Sequence, residues 1–246
     1  MKIEGRTALV TGANRGIGRR IVLELTARGA RRIYAAARNA QSLEELLAVC
    51  GGTVEAIELD ITEAGSVNRA ARRCSDVELL VNNAGVNFNR GLIATPDLSA
   101  ARVEMETNYF GTLAMCRAFA PVLKANGGGM IANVLSVVAK IGLPAMGSLS
   151  ASKAAALRMT ECVRAELASQ HTRVLAFLPS AIQSDMTRGF DRVVKESPEA
   201  AATALCDGIE RDEEELLFGA RAEYVDRLLR SDPYRLRQEY AAMLPR

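Results

Sequence analysis

Thr7-Ala8-Leu9-Val10 is a short β-rich apolar run, and it opens directly into Thr11-Gly12-Ala13-Asn14-Arg15-Gly16-Ile17-Gly18. A helical pattern follows over 16–28, with apolar residues three and four positions apart. The glycines let the chain turn tightly and approach a pyrophosphate closely. The helix start offers that anion unpaired N–H groups and a partial positive charge. Strand, glycine-rich turn and helix in this order predict a dinucleotide site built on Gly12, Asn14, Arg15, Gly16, Ile17 and Gly18.

The same alternation continues outward from this unit. Further strands are expected over 32–36, 54–59, 79–81, 130–135, 174–178 and 216–218, and further helices over 43–49, 64–73, 101–124 and 152–169. Short apolar runs separated by helices mark a parallel sheet, so the expected fold is α/β, a doubly wound parallel sheet of about seven strands with helices on both faces. Gly127-Gly128-Gly129 reads as a turn between helix and strand. There is no internal repeat or linker, so one dinucleotide-binding (Rossmann) domain is expected over 1–246.

Composition narrows the partners. The chain has 246 residues, 49% of them hydrophobic, enough for one sizeable core. Its 31 basic and 29 acidic side chains give no basic field for nucleic acid or anionic membrane, which leaves a small molecule as the expected partner. The cysteines, Cys50, Cys74, Cys116, Cys162 and Cys206, form no C-x-x-C pair and read as thiols of a reducing cytoplasm, with no metal site expected. No charged leader and no apolar run of about 20 residues is seen, so the reading is a soluble, cytoplasmic protein.

The spacing G-x-x-x-G-x-G resembles the short-chain dehydrogenase/reductase family. So do Asn82-Asn83-Ala84-Gly85 after the fourth strand, Asn108 before Tyr109-Phe110-Gly111, Ser136 after the fifth strand, and Lys153. The resemblance runs from Arg6 to about Met186. It implies a catalytic set of Asn, Ser, Tyr and Lys, of which Asn108, Ser136 and Lys153 stand in place. The tyrosine belongs four residues before the lysine, and Leu149 occupies that position. The tyrosines, Tyr34, Tyr109, Tyr224, Tyr234 and Tyr240, all lie outside that segment. The resemblance further implies nucleotide contacts at Asp60 and Ile61, at Asn83, Ala84 and Gly85, at Lys153, and at Pro179, Ile182 and Ser184. Ala35-Ala36-Ala37-Arg38 ends the second strand without an acid, and Arg15 and Arg38 suit an extra ribose phosphate, so NADP(H) is the expected cofactor.

Leucine neither donates a proton nor stabilises an oxyanion, and losing a positioned general acid costs about 100- to 10,000-fold. The expectation is therefore an atypical oxidoreductase that reduces an iminium ion or another acceptor needing no tyrosine proton. The alternatives are a redox-neutral cyclase, isomerase or dehydratase, a non-catalytic NADP(H)-binding partner, or an engineered Tyr-to-Leu form of a carbonyl reductase. Ser180 replaces the glycine of the family's P-G-x-x-x-T pattern, and a positive φ there would strain it. Ser148, Ser150 and Ser152 are expected to cap a helix, Tyr109 to pack in the core, Lys140 and Asp185 to be solvated, and His171 to close a helix away from the chemistry. The segment 187–198, with Phe190, Val193 and Val194, is expected to cover the substrate. The tail from Asp212 is expected to be helical beyond its strand. The helices over 101–124 and 152–169 resemble the pair that joins subunits, which implies a homodimer or homotetramer.

Overall fold

The computed structural model describes residues 1–93, 95–188 and 193–245. Seven strands form one sheet: β1 (Thr7–Thr11), β2 (Arg32–Ala37), β3 (Val54–Glu58), β4 (Leu79–Asn82), β5 (Gly129–Val134), β6 (Thr172–Pro179) and β7 (Glu215–Phe218). Their order is β3-β2-β1-β4-β5-β6-β7, and every neighbouring pair is parallel.

Strand side chains alternate between two apolar clusters, which is why these strands read as continuous hydrophobic runs. Val10, Val81, Ala132 and Phe177 face one cluster with α1 (Gly16–Ala27), α2 (Glu44–Cys50) and α7 (Pro198–Glu210). Leu9, Leu80, Ile131 and Ala176 face the other, with α3 (Ala64–Arg73), α5 (Thr112–Ala125) and α6 (Gly147–Leu167). The fold is thus the expected doubly wound sheet. A third cluster joins the start of α6 to α8 (Ala220–Ser231) and α9 (Pro233–Ala241). Among the described residues, no helix is long and apolar enough to cross a membrane.

The structure corrects several local readings. The helix expected over 101–124 is interrupted: α4 (Ser99–Met105) passes through a π-helical turn, Glu106–Gly111, before α5 begins. The helix expected from Ser152 starts five residues earlier, at Gly147, after Met146, which offers no side-chain cap. Ser148, Ser150 and Ser152 are therefore buried within α6 and do not cap it. Sequence periodicity also passed over α7, whose start carries a Ser197 cap to the Ala200 amide and Pro198 in the first turn.

The sheet order reverses between β1 and β4. Chains leaving their C-terminal ends diverge to opposite sides and open a crevice. The glycine-rich turn, the Asn83-Ala84-Gly85 segment, Ser136 and Pro179 all lie at that edge.

Candidate functional site

At the β1–α1 turn, Gly12 has φ +65°, a conformation that costs glycine little. A Cβ on Gly18 would overlap the Gly12 carbonyl and the Asn83 amide. Asn83 Nδ2 donates to the carbonyls of Thr11 and Gly12 at 2.9 and 3.1 Å, tying the turn to the end of β4. Thr11 completes the junction: its buried Oγ1 accepts from the Asn83 and Ala84 amides at 2.9 and 3.0 Å. Sequence reading missed Thr11, although a hydroxyl at a strand end beside a glycine turn is a signal for such a clasp.

The start of α1 has no side-chain cap. The donors at the start of this twelve-residue helix are therefore open to an external anion, and Gly12 and Gly18 keep side chains from crowding the cradle. Ser184 lies across the turn, with its Cβ 3.7 Å from where a Cβ on Gly16 would stand. Arg15 is exposed and pairs with Asp185 at 3.4 Å, so Asp185 is partnered rather than simply solvated.

Arg38 lines a cleft with Glu58, Asp60, Glu63, Gly65, Ser66 and Arg69. Arg69 and Ser66 were not anticipated, because α3 carries no motif. Asp60 accepts from the amide and hydroxyl of Thr62 at 2.9 and 2.7 Å. The Ile61 side chain points into the core against Gly111, so only its backbone is left to face a ligand.

On the other side of the crevice, Lys153 is buried and donates to the Val134 carbonyl at 3.0 Å. Desolvation lowers its pKa to about 8. Asn108 lies wholly buried in the π-helical turn, where Oδ1 accepts from the Val86 amide and Nδ2 donates to the Val86 carbonyl and to Ser152. Gly85 separates the two: a Cβ there would come 3.0 Å from Asn108 Oδ1 and 3.6 Å from Lys153 Nζ. Ser136 is half-buried, and its Oγ accepts from the Val138 amide at 3.3 Å. Leu149, one helical turn before Lys153, is 7% exposed and belongs to an apolar cluster with Val137, Val138, Val225, Leu228 and Leu236.

The chain matches the short chain dehydrogenase family over residues 6–194. It belongs to that family. A dehydrogenase/reductase SDR family member 7B of Mus musculus is 30% identical over 196 residues, 75% of this chain and 60% of its own length. Like the Danio rerio and Bos taurus proteins of that name, it is longer, and this chain spans about 60 to 63% of such relatives. A 3-oxoacyl-[acyl-carrier-protein] reductase of Escherichia coli is 31% identical over 76% of this chain and 78% of its own. The crystal structure of a short chain dehydrogenase from Burkholderia cenocepacia J2315 in complex with NADP is 45% identical, covers the whole of both chains, and superposes with a TM-score of 0.92.

Within this member of the short chain dehydrogenase family, two further expectations change. Ser180 is not among the positive-φ residues; its amide donates to the Phe218 carbonyl at 2.8 Å, so it continues the β6–β7 pairing without strain. Lys140 is not solvated but pairs with Glu215 and Asp226, with its side chain only 15% exposed. Tyr109 packs against the core as expected, and His171 stands before β6 with φ +58°. Phe190 lies outside the described residues. Among those described, no group of His, Cys, Asp and Glu could hold a metal.

Proposed function

We propose that this short-chain dehydrogenase is an NADP(H)-dependent oxidoreductase acting on a small molecule whose hydride transfer needs no proton from residue 149. One observation carries the reading. Asn108, Gly85 and Lys153 are packed together at the crevice, while the residue one turn from Lys153 is a leucine held among apolar side chains.

NADPH supplies the hydride when bound. Its pyrophosphate fits the uncapped start of α1, with Gly12, Asn14, Gly16, Ile17 and Gly18 around it. Arg15 and Arg38 answer the extra phosphate, although Glu58 and Glu63 share the Arg38 cleft and weaken that field. Asp60 and Ile61 would flank the adenine, while Asn83, Ala84, Gly85 and Lys153 would border the ribose. Pro179, Ile182 and Ser184 would border the nicotinamide. The NADP in the Burkholderia cenocepacia structure supports this choice over NAD(H).

Ser136 offers a hydroxyl to the reacting group, and Asn108 fixes the loop beside Lys153. Leu149 contributes shape and excludes water. A neutral ketone gains negative charge as hydride arrives, and no group at position 149 meets it. An iminium ion reverses the balance, because hydride neutralises its charge and leaves an amine that requires no proton. The substrate cover expected over 187–198 includes residues 189–192, which lie outside the described residues; of the described part, Val193 and Val194 are exposed at 47% and 83%.

The test is NADPH consumption with cyclohexanone and with the N-methylpyrrolinium ion, an acceptor with fixed charge. Turnover of the iminium with little ketone reduction is expected. Product formed without nucleotide would replace this reading with a redox-neutral one. Titration with NADPH and NADH tests the cofactor, and tighter NADH binding would reject it.

A further inference from the structure

The loop following β4 is gripped by side chains one helical turn apart. Asn108 exchanges two hydrogen bonds with Val86, at 2.9 and 3.0 Å. One turn earlier, Glu104 Oε1 accepts from the Phe88 amide at 2.7 Å. Alternate loop residues thus meet successive turns of the helix.

Asn108 also donates to Ser152 of α6 at 3.0 Å. One turn toward the N-terminus of each lie Glu104 on α4 and Ser148 on α6, two helices that pack against one another. Glu104 is 0% exposed and Ser148 5%, and each has a buried oxygen without a hydrogen-bond partner, Glu104 Oε2 and Ser148 Oγ. A buried acid with an unmet oxygen is unfavourable, and an apolar side chain would fill the space between α4 and α6 at lower cost. What the carboxylate provides, and an apolar side chain does not, is an acceptor for the Phe88 amide.

We propose that Glu104 is a positioning residue that sets the acceptor side of the pocket by fixing loop 85–90. The inference rests on the proposed site, in which the acceptor meets Ser136 and Leu149 on the α6 side of the crevice. The loop's near end passes Lys153 at Gly85. Its far end reaches the start of α6, where the Gly147 amide donates to the Arg90 carbonyl at 3.1 Å and Asn87 Nδ2 lies 3.6 Å from Met146 Sδ. A shift at Phe88 therefore moves the wall beside residues 149 and 153. The glycine-rich turn is held separately, by Thr11 and Asn83.

Amide exchange, NADPH binding and kinetics on full-length Glu104→Met and Glu104→Gln test this. Methionine removes the acceptor and glutamine keeps it. Glu104→Met is expected to speed exchange at residues 86–88 by at least about tenfold while the NADPH dissociation constant stays within about twofold. For the N-methylpyrrolinium probe, KM rises by about fivefold or more with a smaller change in kcat, and the unfolding temperature does not fall. Glu104→Gln restores wild-type exchange and KM. Phe88→Pro, which deletes the donated N–H with Glu104 in place, shows the same separation of KM from NADPH affinity. Unchanged exchange in Glu104→Met, a glutamine variant that behaves like methionine, or NADPH affinity lost in step with KM would each overturn the assignment. Absence of turnover with wild-type enzyme counts against the proposed reaction alone, because exchange still judges Glu104.

Discussion

Lys153 and Leu149 lie one helical turn apart on α6, and both are buried. The structure seats that lysine in a dry environment against the Val134 carbonyl, which accounts for a pKa near 8 in place of 10.5. The unfolded chain keeps its lysine proton up to the ordinary range. Between pH about 8 and about 10.5 it therefore binds more protons than the folded chain, and stability rises with pH across that window. Below pH about 8 the lowered proton affinity reduces folding stability by about 3 kcal/mol relative to a lysine that keeps its ordinary pKa. Lys153→Met should therefore exceed wild type in stability by most near neutral pH, with the gap closing toward pH 10.5. Denaturant melts across this range check it, and a gap independent of pH would show that burial does not set the lysine's affinity for its proton.

The β1–α1 element carries the nucleotide argument. Gly18→Ala places a methyl group against the Gly12 carbonyl and the Asn83 amide, at a cost of about 1 to 3 kcal/mol in stability. NADPH fluorescence titration should show binding lost, and retained affinity would mean the cradle lies elsewhere. Replacing Arg15 and Arg38 together with serine should weaken NADPH by about tenfold or more and leave NADH nearly unchanged, as loss of charge-assisted bonds to one phosphate requires.

Much of this level was readable in advance. The central strands announced themselves because both their faces are buried, and Gly12, Gly18 and Gly85 mark places where backbones or amides nearly touch. The π-helical turn at Asn108 was not readable, because it occupies a single turn, too short a window for apolar periodicity to register a change of pitch. The early start of α6 was hidden for a similar reason: Ser148, Ser150 and Ser152 look like caps, but their hydroxyls are enclosed by α4 and the loop before α6. Glu104 was overlooked because an acid in a polar helix reads as solvent-facing, and only packing reveals it as buried.

Across the whole molecule, the site draws on both halves of the sheet, and the C-terminal helices α8 and α9 close the apolar cluster around Leu149. Among the described residues that cluster contains no side chain from the glycine-rich turn, so a substitution at 149 leaves the packing of the turn untouched. The faces of α5 and α6 that resemble a subunit-joining pair include Phe110 nearby, half exposed on the π-helical turn. Sedimentation should show a dimer or tetramer, and Phe110→Asp should shift it to a smaller species without altering NADPH affinity. A wild-type monomer would contradict the assembly.

Whether residue 149 withholds a proton is measured most directly by comparing wild type with Leu149→Tyr on cyclohexanone and N-methylpyrrolinium under saturating NADPH. The ring adds about 1 to 3 kcal/mol of strain to the cluster, so both proteins are assayed below the variant's unfolding temperature. Tyrosine is predicted to raise ketone reduction by at least about tenfold and leave iminium reduction nearly unchanged. Wild-type enzyme that reduces the ketone as fast as the tyrosine variant would contradict the account, because the proton would then be coming from a group other than residue 149.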